Sequence, residues 1–205
     1  MTKNKTDMRI IKTKKKLSDA LIQLLEERNY DDIKISDLCL KAGVSRATFY
    51  NNFNTIDDVM NYYFRLTEEQ IKSIFLSRLK QFNFSFRDAY RSLIHTVLST
   101  ICSTEDNHIV SILSRNNASQ VYMALQVFNE ECVEILVEYY KDQINGVSAG
   151  LVGSYLAGAS TGIIFYLFQH HEEVQSVDEI ENLIFDITAP IFKEVSKRPF
   201  FEQSL

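Results

Sequence analysis

An all-α fold is predicted for this 205-residue chain, and three observations predict it. Apolar residues recur at helical spacing in segment after segment, and strand-like alternation persists nowhere. Only 6 Gly and 2 Pro punctuate the sequence, so long helices meet few breakers. The stretch Lys34 to Phe53 reads as two short helices joined at a glycine. A chain of this length can bury one core or two small ones. Two domains are expected, residues 1–54 with 1–7 as a flexible arm, and residues 55–205.

The first helix is expected from about Met8 to Glu27, with Ile10, Leu17, Leu21, Leu24 and Leu25 along one face. Ser36 is a good N-cap for a helix over Asp37–Ala42, because its hydroxyl can accept an orphan amide of the first turn. Asp37 suits the positive end of that helix dipole. Gly43 is the expected stop, since glycine takes the left-handed conformation without a Cβ clash. Ser45 then caps a second helix over Arg46–Asn52. Leu38, Ala42, Val44 and Phe49 are spaced to pack these helices on each other and on the one before. That leaves Arg46, Thr48, Tyr50, Asn51 and Asn52 outside. A face of hydrogen-bonding groups with one arginine suits phosphates and base edges in a major groove. The segment is therefore predicted to be a helix-turn-helix.

A long helix follows from near Thr55, with Asp57 and Asp58 in its first turn, toward Phe82. Asn83 to Ser85 breaks it. Further helices are expected over Phe86–Cys102, His108–Ser114, Ser119–Lys141, Val147–His170 and Asp178–Val195. The polar loop Ser103 to Asn107 and the turn dipeptide Asn145-Gly146 separate them. Ile180, Leu183, Ile184, Ile187, Ile191 and Val195 form the apolar stripe of the last helix, and Pro190 is expected to kink it or tighten a turn.

Charge is uneven. Residues 1–50 carry 11 Lys+Arg against 7 Asp+Glu, and the remainder carries 11 against 20. A basic head on an acidic body fits a DNA-binding module joined to one that does not bind DNA. Cys39, Cys102 and Cys132 are odd in number and lack metal-type spacing, which points to a reduced, cytoplasmic setting. The N-terminus is polar and basic, without the apolar core of a secretory leader. Gln143 to His171 holds no Asp, Glu, Lys or Arg. Its serines, threonine and glycines make it only moderately apolar, and it lacks a basic cytoplasmic flank. It is read as a buried helix. Gly150, Ser154, Ala157 or Gly158, and Thr161 or Gly162 fall about one turn apart, a stripe that another helix can approach closely.

The segment Thr13–Val59 resembles the DNA-binding domain of TetR-family (TetR/AcrR) transcriptional regulators. The resemblance rests on Thr13-Lys-Lys-Lys-Leu17, Ala20, Tyr30, the turn Ala42-Gly43-Val44-Ser45, and the run Thr48-Phe49-Tyr50…Phe53. Where the family usually carries Ser-Lys-Glu, this chain has Thr55-Ile56-Asp57, and the phosphate-touching lysine is missing. The candidate DNA contacts are Thr13, Lys14, Ser36, Ser45, Arg46, Ala47, Thr48, Tyr50, Asn51 and Asn52. The resemblance implies a homodimer through the last two long helices, about 147–171 and 178–195. Two heads would then read two half-sites of a double-stranded operator.

It also implies an effector held in the body, for which Tyr63, His95, Tyr122, Phe128 and Phe165 are candidate lining residues. Tyr155 to Phe168 resembles the C-terminal domain of regulators related to the dihydroxyacetone-kinase operon activator, without that subgroup's tryptophan. Some of those regulators answer to a protein partner, so the effector is a small molecule or a protein. No cofactor, metal or membrane is implied. His170-His171-Glu172-Glu173 is read as a solvated helix end, because adjacent histidines point to different faces. Cys39 is read as a small buried hydrophobe. A Gly-rich phosphate loop, a Ser-His-Asp pattern and a paired-carboxylate motif are all absent from the sequence, so an enzyme is not expected. A one-component regulator, most often a repressor in this family, is the reading that Arg46, Thr48, Tyr50 and Lys14-Lys15-Lys16 favour. The alternative is a protein of the same fold with weak DNA binding that acts through a protein partner, which Ile56 and the neutral Asn51-Asn52 pair favour.

Overall fold

The computed structural model describes residues 2–82, 84–101, 118–141, 149–170 and 176–197. Among these residues there are eight α-helices, one short 3-10 turn and no strand. The helices are α1 (Thr2–Glu27), α2 (Ile35–Ala42), α3 (Arg46–Tyr50), α4 (Ile56–Gln81), α5 (Phe86–Ile101), α6 (Ala118–Tyr139), α7 (Ala149–Gln169) and α8 (Val177–Lys197). The helix expected over His108–Ser114 lies outside the described residues. The described residues fall into two compact units that divide within α4, after Gln70.

In the first unit, α1 begins at Thr2, six residues earlier than expected. Residues 2–7 contain no glycine or proline to interrupt it. Leu17, Leu21, Leu24 and Leu25 are buried, but Ile10 is 43% exposed, because the inward stripe of α1 starts only at Leu17. Lys41 reaches Glu27 at 2.9 Å and Arg28 reaches Asp37 at 3.3 Å, tying the end of α1 to α2. These are solvent-exposed pairs, each contributing about 1 kcal/mol or less. The 3-10 turn Tyr30–Asp32 follows α1, and the Tyr30 hydroxyl donates to Asp57 in the first turn of α4. Burial and the Asp57 carboxylate both push the Tyr30 phenol upward.

Helix α2 starts at Ile35, and Lys34, not Ser36, is its N-cap. The Asp37 carboxylate accepts the Lys34 amide at 3.3 Å, so an acid in the first turn reaches back to the N-cap residue. Gly43 ends the helix at φ 65°, ψ 38°, in the left-handed region that costs an L residue about 1–2 kcal/mol. The Ser45 hydroxyl accepts the Thr48 amide at 3.1 Å as the cap of α3. That helix is shorter than expected, closing at Tyr50 with Asn51 as its C-cap. Helix α4 opens on a reciprocal cap: Thr55 Oγ1 accepts the Asp58 amide at 3.1 Å, while Asp58 Oδ2 accepts the amides of Asn54 and Thr55 at 2.8 and 3.0 Å.

The second unit is centred on α5. Its Phe86, Ala89, Tyr90, Leu93, Ile94, Val97, Leu98 and Ile101 are all buried at helical spacing. Helix α8 packs on α5 and on α7, with the Phe192 ring 5.5 Å from both Phe86 and Tyr90. Tyr90 is fully buried, and its hydroxyl donates to the Leu156 carbonyl of α7 at 3.3 Å. Ser160 Oγ donates to the same carbonyl at 2.8 Å. Pro190 lies inside α8, and the helix continues through it. No helix among the described residues is long and apolar enough to cross a membrane.

Candidate nucleic-acid interface

Everything about α3 follows from one buried residue. Phe49 is 0% exposed, and its ring meets Tyr50 edge-on at 5.3 Å and Phe53 at 6.3 Å. Phe53 in turn packs edge-on against Tyr62 of α4 at 5.7 Å. This aromatic chain roots a helix of one turn in the core of the first unit. With Phe49 pointing inward, helical geometry turns Arg46, Ala47 and Tyr50 outward, and all three are exposed. Tyr50 is 57% exposed, with its phenol free to reach a phosphate. Arg46 has no carboxylate partner among the described residues, so its guanidinium is available for a bidentate contact to guanine or phosphate. The Ala47 methyl can meet a thymine methyl.

The remaining candidates divide. Ser45 and Thr48 are occupied in part by capping, their hydroxyls 2.9 Å apart. Asn51 is exposed. Asn52 is half-buried and donates Nδ2 to the Thr48 carbonyl at 2.8 Å, so it closes the C-terminal end of α3 more than it faces outward. Thr13 is half-buried on α1, with its hydroxyl donated back to the Arg9 carbonyl at 2.9 Å. Ser36 is half-buried in the first turn of α2. Lys14 lies over the rings of Phe53 and Tyr62, 5.2 and 5.7 Å from their centroids. Cys39 is buried, and that burial raises its thiol pKa, which makes it a packing residue and a poor nucleophile.

Of the effector candidates, Tyr63 belongs to the first unit, and the other four belong to the second. There, Tyr122 of α6 and Phe165 of α7 meet edge-on at 5.0 Å. Phe128 is a core residue. His95 faces α8, its Nδ1 2.7 Å from Glu181 Oε2, while Arg91 Nε holds the other oxygen of that carboxylate at 2.7 Å. Periodicity could not show this, because the partners lie 86 residues apart. It also missed Asn129, which is buried and donates Nδ2 to Thr161 Oγ1 at 2.6 Å. Asn129 Oδ1 and Gln126 Oε1 are buried without a hydrogen-bond partner among the described residues. Tyr122, Gln126 and Asn129 stand at i, i+4 and i+7 on one face of α6.

Residues 17–63 match the family described as bacterial regulatory proteins, tetR family. Among solved structures, a protein of Syntrophomonas wolfei named for the TetR family of transcriptional regulators superposes with a TM-score of 0.73 at 15% identity. That match covers 88% of this chain and 95% of the other. The dihydroxyacetone kinase operon activator DhaS gives 0.66 at 16% identity, over 89% and 97% of the two chains. RolR in complex with resorcinol gives 0.61 at 13% identity, over 97% and 100%. No curated protein matches the chain in sequence. Residues 17–63 thus match the tetR family of bacterial regulatory proteins, and the chain shares its fold with the solved structures named above.

Proposed function

We propose that this protein is a one-component transcriptional repressor that binds a pseudo-palindromic operator as a homodimer and is released by an effector. Residues 1–54 form its DNA-binding head and residues 55–205 its regulatory and dimerisation body. The observation that carries the reading is the outward presentation of Arg46, Ala47 and Tyr50 around a fully buried Phe49. One turn of helix offers few base contacts, so useful specificity calls for two heads on two half-sites.

The body supports a two-fold partner. On α7, Leu151, Tyr155 and Tyr166 are exposed, as are Leu183 and Ile187 on α8. A Cβ added at Gly158 or Gly162 would meet nothing within 4 Å, so that side of α7 is open to the backbone of another helix. Ala157 and Thr161, the alternatives to Gly158 and Gly162 in the expected stripe, are buried and belong to the subunit's own core. The effector is proposed to lie against Tyr122, Gln126, Asn129 and Phe165, where two buried acceptors call for N–H or O–H donors beside an aromatic pair. The resorcinol held by RolR is an example of that chemistry.

The test is binding of the purified protein to DNA from just upstream of its own gene, titrated across salt. Saturable, sequence-selective binding that weakens steeply with salt is expected. Binding absent or indifferent to sequence would move the protein to the partner-protein reading.

A further inference from the structure

A cleft of about 400 Å³ opens in the first unit, lined by Lys14, Asn52, Phe53, Asn54, Asp58, Asn61, Tyr62 and Arg65. It lies between α1 and the first turns of α4, directly beyond the C-terminal end of α3. Two cations share one aromatic ring there: Lys14 Nζ is 5.7 Å and the Arg65 guanidinium 5.3 Å from the centroid of Tyr62. A ring holds a cation without neutralising it, and neither Lys14 nor Arg65 has a carboxylate partner among the described residues. The one acid in the cleft, Asp58, is turned to its own backbone. Its Oδ2 accepts the Asn54 and Thr55 amides, and these bonds hold its pKa below the usual carboxylate value. Asn54 and Asn61 are exposed at the rim, and their carboxamides add neutral donors.

We propose that this cleft is a phosphate-binding site in the first unit, with Arg65 and Lys14 as its cationic walls. A forked guanidinium and a point-charge ammonium share the cleft with two carboxamides, a set of donors that suits a phosphate oxyanion. Duplex DNA presents one negative charge per ~1.7 Å of helix axis, so a backbone phosphate beside the α3 contact is the expected occupant. A phosphate-bearing small molecule has the same chemistry. Only the first source rests on the operator-binding reading.

Two arms separate the sources. In the first, the slope of log affinity against log salt is measured for full-length protein, Arg65→Gln and Arg65→Lys, on upstream and unrelated duplexes. The glutamine variant is expected to lose about 0.9 of slope, one phosphate contact, with affinity falling by the same factor on both duplexes. The lysine variant is expected to keep the slope. Arg65 is exposed, and thermal melts confirm that the variants fold. In the second arm, inorganic phosphate is titrated against chloride at equal ionic strength, following the side-chain NMR signals of Asn54, Asn61 and Arg65. Movement under phosphate alone, abolished by Arg65→Gln, supports the site even if the protein binds no DNA, and then names a free phosphate as its occupant. A changed slope with silent NMR signals supports the backbone phosphate. An unchanged slope, or no DNA binding, together with silent signals overturns the proposal.

Discussion

Substituting Gly43 isolates the turn that sets α3 against α2. Its backbone sits at φ 65°, and a Cβ built there meets nothing within 4 Å. Gly43→Ala therefore adds no clash with any neighbour, and its whole cost is the local crowding of an L residue in the left-handed region. That cost is about 1–2 kcal/mol. The alanine also removes freedom from the unfolded chain, which offsets about 0.4–1 kcal/mol, leaving a net loss near 1 kcal/mol. Gly43→Asn is expected to lose less, because asparagine visits this region with local hydrogen bonding. Urea unfolding reads both: the midpoints should order glycine, asparagine, alanine at unchanged m-value. Over a chain of this size the alanine variant's Tm should fall by about 2–4 °C. An alanine variant as stable as the parent would refute the assigned turn geometry. So would equal losses for alanine and asparagine, because the cost would then not be one of backbone conformation.

Three further outcomes follow from the geometry. Arg46→Ala should lower operator affinity and relax preference at its base or phosphate, whereas Tyr50→Phe should weaken binding evenly across sequences; gel-shift titrations on operator and scrambled duplex separate the two, and unchanged binding by both removes the assigned surface. Gly162→Leu places a large side chain where the chain itself leaves open space, so the subunit should fold normally while analytical ultracentrifugation shows a shift toward monomer; a variant that stays fully dimeric places the interface elsewhere. Asp58 has its folded pKa lowered chiefly by the Asn54 and Thr55 amides. Its contribution to stability is therefore present above the ordinary carboxylate pKa of about 3.9 and is lost as pH falls through the lower folded value. Stability curves of Asp58→Asn and parent should converge at acid pH and separate above about pH 4, and parallel curves would count against the cap.

The helix-turn-helix was legible because its signals are local. Gly43 and Ser45 act within three residues of themselves, and the structure shows both in the expected roles. The errors there are competitions between neighbours. Asp37 reaches back to Lys34 and starts α2 early, and Asn52 takes the Thr48 carbonyl where two more helical residues were expected. The body was legible as helices and not as a site. His95 looks like a pocket residue on α5 until Glu181, from the other end of the body, is placed beside it. Asn129 carries no marker in the sequence; only the packing of α6 on α7 leaves its Oδ1 enclosed without a donor. Interior and open sides of the glycine stripe were likewise separable only in three dimensions, with Ala157 and Thr161 inward and Gly158 and Gly162 facing empty space.

A recognition element anchored through Phe49 alone divides its labour sharply. The side chains at 46 and 47 lie outside the core, and that of 50 touches it only through the edge of Phe49, so on the operator-binding reading exchanging them changes what is read with little change in what folds. Specificity in such a head can drift by single substitutions, each leaving a stable protein for the next to act on. Positions 43, 45 and 49 have no such latitude, because the aim of every outward side chain depends on them. Chains of common descent should therefore agree at the hinge, the cap and the buried ring while disagreeing about the sequence they bind.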